Sequence, residues 1–291
     1  MVHRVRVLLA GSTGAIGGYL VPQLRAAGHE VVGLSRSPEA DVSVDLLDRQ
    51  AVLDRLDGEH FDAVIHQATA LATTPAVHAQ MTRTNRLRTE GTSTLLAVAR
   101  RSGAKRFVTA SAFYGYGFLD HGETPLTEDE PFGLRDGSAN DEVLRCLLAN
   151  EQQASAFGGV SLRYGLFYGN GAAPMVDSSF EGVLPVVHLE DAAAAAVRAL
   201  TRGKRGAAYN IADEHPVSWR ELQAAQAVAD GRRPPLALPS WALRASAPFA
   251  AELLTRTSMR LSATRTRRDM GWRPMYPSFA EGLRPAVDVA G

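Results

Sequence analysis

Apolar runs too short for a helix alternate along this chain with longer stretches that carry helical spacing. Val5, Val7, Leu8, Leu9 and Ala10 make a nearly continuous apolar run of the kind a strand buried on both faces requires. A small-residue turn follows, and apolar positions resume at Ile16, Leu20 and Leu24, one face of a helix. Glu30–Leu34, Val42–Leu46, Asp62–Gln67, Lys105–Ala110 and Gly159–Arg163 read as further strands. Residues 48–56, 82–100 and 141–157 carry the intervening helices. Regular alternation of this kind predicts an α/β fold of the Rossmann type, a doubly wound parallel sheet with helices on both faces.

Beyond Gly171 the rhythm changes. Val186–His188 is a brief strand, a helix runs from Asp191 through Leu200, and Ala207–Ile211 is another strand. Ser218 followed by Glu221 three positions later is a capping box for a helix ending at Ala229. The segment RRPPLALP breaks the pattern, and amphipathic helices after it form a small, mainly helical C-terminal unit. The expected division is a nucleotide-binding domain over 1–170, rejoined by 186–212, and a substrate-binding domain made of 171–185 and 213–291.

Composition narrows the function. The 291 residues are 45% hydrophobic, enough for a large core, and formal net charge is zero. With a pI of about 7.1, no basic footprint points to nucleic acid or to an anionic membrane. The single cysteine, Cys146, rules out an internal disulfide, argues against zinc, and reads as a small buried residue; no metal is expected. The lack of an 18-residue apolar run and of a signal-type start predicts a cytoplasmic protein.

The first strand, turn and helix carry the chemistry. Glycines at 11, 14 and 17 give a GxxGxxG spacing, in which Gly11 turns the strand and Gly14 lets backbone approach a pyrophosphate. Gly17 then brings the helix close to the sheet. Arg36 lies at the end of the second strand, where an acid would bind ribose hydroxyls and an arginine would meet a 2′-phosphate. It therefore favours NADPH/NADP over NAD(H), the alternative being a solvated surface arginine. Ala68 and Thr69 are small enough for a cofactor to lie against the fourth strand's end. His66 reads as packing, and Glu128, Asp129 and Glu130 as a solvated acidic surface.

Several segments together resemble the extended short-chain dehydrogenase/reductases, the NAD-dependent epimerase/dehydratase type. GSTGAIGGYL is similar to that family's nucleotide loop, VIHQAT to its fourth-strand motif and NRLRTEGTSTLL to its next helix. RFVTASAFYGYG, SLRYGLFYGNG, VVHLEDAAAA and RRDMGWRP resemble later motifs, so the likeness spans nearly the whole chain. It implies a cofactor site in which Gly11, Thr13, Gly14, Ala15 and Ile16 meet the pyrophosphate. Ser12 and Arg36 would lie near the 2′-phosphate, and Asp45 and Leu46 near adenine. Ala68, Thr69, Thr109, Ala110 and Ser111 would line the nicotinamide side, continued by Arg163, Gly165, Leu166 and Phe167. Asn85 is either a supporting residue or a surface one, His188 resembles a family position near the substrate cleft but reads first as a strand-end structural histidine, and Asp191 is a residue favoured by the helix dipole.

One departure stands out. That family carries Tyr-x-x-x-Lys on the helix after the fifth strand and a Ser or Thr before its Tyr-Gly pair. Aligning Glu151 with the family glutamate places Val143 and Leu147 at the tyrosine and lysine positions, and Ala112 at the Ser/Thr position. No tyrosine occurs from 117 to 163 and no lysine from 106 to 203. No catalytic acid is therefore assigned. The same loss resembles the atypical angucyclinone ketoreductase type of simocyclinone biosynthesis. It implies an NADPH-dependent reductase of a ketone on an aromatic polyketide or similar secondary metabolite, with the proton supplied by substrate or water. A small-molecule ketone is thus the expected partner, and no oligomeric state is legible. Alternatives are an enzyme with its acid relocated to Tyr114, Tyr116 or Ser111, a non-enzymatic NADP(H)-binding scaffold, and a sugar-nucleotide epimerase or dehydratase.

Overall fold

The computed structural model describes residues 4–71, 73–169, 177–178, 180–229, 231, 233 and 237–283. Strand β1 (Arg6–Ala10) is followed by helix α1 (Ala15–Ala26), strands β2 (Glu30–Ser35) and β3 (Val42–Ser43), and helix α2 (Arg49–Arg55). Strand β4 (Ala63–His66) leads to helix α3 (Thr82–Arg86), a π turn over Leu87–Gly91, and helix α4 (Thr92–Arg101). Strand β5 (Arg106–Ala112), helix α5 (Asp141–Phe157) and strand β6 (Val160–Tyr164) complete the first alternations. Two short strands, β7 (Leu166–Tyr168) and β8 (Asp177–Ser178), precede β9 (Val183–Leu184) and β10 (Val186–His188). Helix α6 (Leu189–Arg202) and strand β11 (Ala208–Ile211) return the chain to the main sheet. Strand β12 (Val217–Ser218), helix α7 (Trp219–Ala229) and strand β13 (Ala237–Leu238) come next. The C-terminal helices are α8 (Ser240–Ser246), α9 (Pro248–Thr255), α10 (Thr264–Met270) and α11 (Phe279–Gly282).

Seven strands form one parallel sheet in the order β11-β6-β5-β4-β1-β2-β3. β1 lies inside it, Leu9 facing Gly33 on one side and Ile65 on the other, and Val7 to Ala10 are fully buried. The chain crosses from β3 to β4 around β1, so the carboxyl ends of these strands open a crevice, the usual ligand position in such sheets. α6 buries an alanine face (Ala192, Ala193, Ala195, Ala196 and Ala199), and side chains this small let it lie close against α1. Above the crevice, β7 pairs with β10, β9 with β12 and β8 with β13. There α7 and α9 bring Trp219, Leu222, Phe249 and Leu253 into a second apolar cluster. Ser218 and Glu221 make the expected reciprocal box, each accepting the other's backbone N–H at 3.2 and 3.0 Å. Among the described residues no helix is long and apolar enough to cross a membrane.

Three expectations change. The third strand stops at Ser43 instead of reaching Leu46: after Val44 donates to the Ser35 carbonyl the chain leaves the sheet, and Arg83 holds the Asp45 carboxylate at 2.6 and 2.8 Å. The helix expected over 82–100 is interrupted by the π turn, where the Leu87 carbonyl lies 3.1 Å from the His66 ring nitrogen Nε2. Asp191 does more than sit at a helix N-terminus. Its carboxylate accepts the backbone N–H groups of Met275 and Tyr276 at 2.7 and 3.0 Å, while its carbonyl accepts from the Trp272 indole.

Asp191 thus fastens the C-terminal segment to α6, and Asp191→Ala leaves two N–H groups without their acceptor. The expected loss is about 2 kcal/mol, read as a lower urea midpoint with an unchanged slope.

Candidate functional site

The glycine turn is shaped by steric necessity. Gly11 has φ +91°, and a Cβ there would lie 2.7 Å from the Ala68 backbone nitrogen, so the turns after β1 and β4 touch. A Cβ on Gly17 would lie 2.3 Å from the Ser12 carbonyl oxygen; this glycine admits the turn's own carbonyls against α1, not α1 against the sheet. Gly14 caps α1 without a side-chain bond, and no acid occupies the first turn. The free N–H groups of that end therefore suit an anion.

A cleft of about 530 Å³ runs from this turn across the strand ends. Gly11, Thr13, Gly14, Ala15, Ile16, Arg36, Asp45, Leu46, Ala68 and Thr69 line it, as do Ala110, Ser111, Gly165, Leu166 and Phe167. Three expected residues do not. Ser12 turns its buried hydroxyl inward against Gly33, because the tight turn directs that side chain at the sheet. Thr109 is buried and donates to Asn150 at 2.9 Å, tying β5 to α5. Arg163 lies behind the cleft, paired with Glu151 at 2.8 Å and stacked over Phe132 at 3.8 Å.

At the adenosine end, Arg36 is exposed and makes no ion pair with a described residue. Thr13 and Ser35 join hydroxyls at 3.0 Å beside it. The nearby acids are engaged elsewhere, Asp41 on the Gly33 N–H at 2.7 Å and Asp45 on Arg83. Burial works to raise the Asp45 carboxyl, but Arg83 and the Leu47 N–H hold it below its usual range.

The other end is apolar with a few polar groups. Leu71, Phe113, Trp219, Leu222, Phe249 and Leu253 line it, with Ala112 on the cleft wall. Val143 and Leu147 are buried within the same apolar cluster and do not reach the cleft. The Ser111 hydroxyl donates to Glu151 at 2.6 Å, so that side chain is committed behind the strand. Tyr116 also lies outside the cleft, bonded to Asn210 and Arg163, and burial pushes its hydroxyl up to about 12. Tyr114 does line the cleft; its hydroxyl accepts from Arg88 at 2.6 Å.

His66 lines the cleft but is almost wholly buried, and burial holds its pKa down to about 4, leaving the ring neutral. Nε2 then donates to the Leu87 carbonyl, and Nδ1 accepts the Ala68 N–H at 3.3 Å. His188 caps α6 through Nδ1 and packs its ring on Tyr276 at 4.4 Å. Asn85 is buried beside Arg88, 3.4 Å from its guanidinium. Cys146 is buried. Glu128 is buried rather than solvated, accepting the Asn210 N–H at 2.8 Å, whereas Asp129 and Glu130 are exposed. Among the described residues no group of acids, histidines or cysteines could hold a metal ion.

Sequence reasoning missed Arg88, which lines the cleft at 8% exposure. The signal was present: Arg88 stands four residues from both Thr84 and Thr92, on the helix face that is otherwise buried.

The fold has known relatives. The model of the NAD dependent epimerase/dehydratase family matches residues 7–212. A Streptomyces protein named 3-diazoavenalumate denitrifying reductase is 35% identical over 311 residues, covering 96% of this chain and 99% of that protein. Among solved structures, UDP-glucose 4-epimerase from Thermus thermophilus, in complex with NAD, is 26% identical with a TM-score of 0.75, covering 96% of each chain. A human epimerase family protein with NADPH has a TM-score of 0.75 at 21% identity, again over 96% of each chain, a likeness of fold.

One titrating group adjoins the cleft. Tyr168, on the cleft wall, donates to Asp213 Oδ2 at 2.7 Å, while buried Oδ1 has no partner among the described residues. Burial pushes the Asp213 carboxyl up to about 7. The folded state therefore holds a proton that the unfolded chain releases near pH ~4. This contribution to stability is complete below about pH 4 and is lost as pH rises through about 7. Asp213→Asn should flatten that decline, so its melting temperature exceeds the parent's at about pH 8 and matches it more closely at about pH 5.

Proposed function

The chain belongs to the NAD dependent epimerase/dehydratase family and is an NAD(P)-dependent oxidoreductase. From that premise we propose that it is an NADPH-dependent reductase of a planar aromatic substrate, acting where no protein acid is needed. The observation that carries this reading is the apolar character of Ala112, Val143 and Leu147, the three proton-handling positions of the family.

On this reading the cofactor half is 1–170 with 186–212, and the substrate half is 171–185 with 213–291. The cofactor would be held by the N–H groups of the Gly11–Ile16 turn, by Arg36 at a 2′-phosphate, and by Asp45 and Leu46 near adenine. Ala68, Thr69, Ala110, the Ser111 backbone and Gly165–Phe167 would support the nicotinamide side. A bound reduced nicotinamide supplies a hydride equivalent. The protein's task is then orientation and exclusion of water by Trp219, Leu222, Phe249 and Leu253.

Reducing a ketone to an alcohol consumes a hydride and a proton. Replacing a diazonium group consumes only the hydride: the aryl cation–N₂ unit plus hydride gives the arene and N₂, with charge balanced. The Streptomyces relative is named for a denitrifying reduction of a diazo acid, and its likeness spans both chains almost completely. We therefore favour reductive loss of N₂ from a diazo-substituted aromatic acid.

A second reading is reduction of an angucyclinone-like ketone. Tyr114 favours it, as a hydroxyl held in the cleft by a cation. A phenol flanking the ketone would itself partly neutralise the developing oxyanion.

The test is incubation with C4-deuterated NADPH and a diazo-substituted hydroxycinnamate. Expected are stoichiometric N₂ release and deuterium on the ring carbon that bore nitrogen. N₂ release without deuterium transfer overturns the assignment, and NADPH oxidation by an ortho-hydroxyaryl ketone alone selects the second reading. For the cofactor, Arg36→Glu should move the NADPH-to-NADH ratio of kcat/KM by about tenfold or more toward NADH. An unchanged ratio removes Arg36 from the cofactor site.

A further inference from the structure

Burying a guanidinium is costly unless an anion or a full set of acceptors compensates it. Arg83 has Asp45 and Arg163 has Glu151. Arg88, buried on the cleft wall, has no carboxylate among the described residues. Its hydrogen bonds are to Tyr114 Oη at 2.6 Å and, at a long 3.4 Å, to Asn85 Oδ1. Since Tyr114 accepts from Arg88, its own O–H proton is free, and it has no acceptor among the described residues. The cleft wall therefore carries a guanidinium whose acceptors are both neutral and a phenol O–H with no acceptor among the described residues.

The pair is held firmly. Arg88 projects from the π turn, whose Leu87 carbonyl is engaged by neutral His66. The Tyr114 ring stacks on Phe118 at 5.6 Å and meets Phe113 edge-on at 5.3 Å. Side-chain donors fixed in this way need no reordering when a ligand arrives. The position also separates this cation from the cofactor's phosphates. Tyr114 follows β5 whereas Arg36 follows β2, and β4 and β1 lie between those strands.

We propose that Arg88 and Tyr114 anchor the carboxylate of a planar aromatic acid, with the ring against the apolar wall of Trp219, Leu222 and Phe249. Guanidinium and carboxylate match in charge and in their planar two-point geometry. This assigns a substrate-positioning pair to the proposed reductase site and rests on that reading for the aromatic nature of the ligand. The anionic anchor itself follows from the two donors.

The test is binding of cinnamate and of cinnamamide, neither carrying a diazo group or a reducible ketone, so the outcome is independent of whether N₂ loss is the reaction. Titrations are followed by calorimetry on the full chain in the presence of NADP. Cinnamate is expected to bind about 10- to 100-fold more tightly than the amide. Arg88→Ala should erase that preference, Arg88→Lys should keep a reduced one because a point charge remains, and Tyr114→Phe should lower it several-fold. NADP affinity, unchanged in each variant, reports an intact fold. Equal binding of acid and amide by the parent protein overturns the proposal without any variant. So does a preference that survives in a folded Arg88→Ala.

Discussion

The Arg163–Glu151 ion pair fixes the geometry on which the site depends. It joins β6 to α5, and the same Glu151 carboxylate accepts from Ser111 at the end of β5. Arg163 also reaches the Tyr116 hydroxyl, which in turn donates to Asn210 on β11. Charges this deeply buried are tolerable only when nearly every donor and acceptor is matched, as here. The network locks four elements together behind the cleft, and Ser111 and Tyr116 belong to it. The hydroxyls of Ser111, beside Ala112, and of Tyr116 are therefore spent on structure.

The two sides of the cleft consequently obey different rules. Toward the glycine turn the surface is built of backbone N–H groups, small side chains and an exposed arginine, all suited to phosphate. Beyond β5 it is built of aromatic and aliphatic side chains, with one buried cation. α5 is held in place by Glu151 and presents Val143 and Leu147 to the hydrophobic cluster. On the proposed reading, such a scaffold orients a cofactor without a protein acid, because the two tasks reside on different residues.

The sheet was legible because burial on both faces forces apolar runs at β1, β4, β5 and β6, and the glycine turn because its close contacts exclude a side chain. Helix α5 and the Ser218–Glu221 box were equally plain, since periodicity and capping are local. What escaped was set by contacts distant in sequence. The end of β3 depends on Arg83 capturing Asp45, and the π turn on His66 lying under Leu87. Ser12, Thr109 and Arg163 sit beside cleft residues in sequence, but alternation along a strand or a turn directs neighbouring side chains to opposite faces. Arg88 was readable in principle from its spacing, yet a lone arginine in a helix is ordinarily solvated.

Charge placement links the proposed reaction to the proposed anchor. An aryl diazonium is a cation, and a buried guanidinium would repel it strongly in a medium less polarisable than water. If the substrate were recognised through its nitrogen end, Arg88 would oppose binding. Recognition through a carboxylate reverses the sign: the anion meets Arg88 and Tyr114, and the nitrogen-bearing carbon is directed away from them. On the proposed reading, leucine at position 147, buried in the apolar cluster, leaves α5 without the charge of the family's lysine.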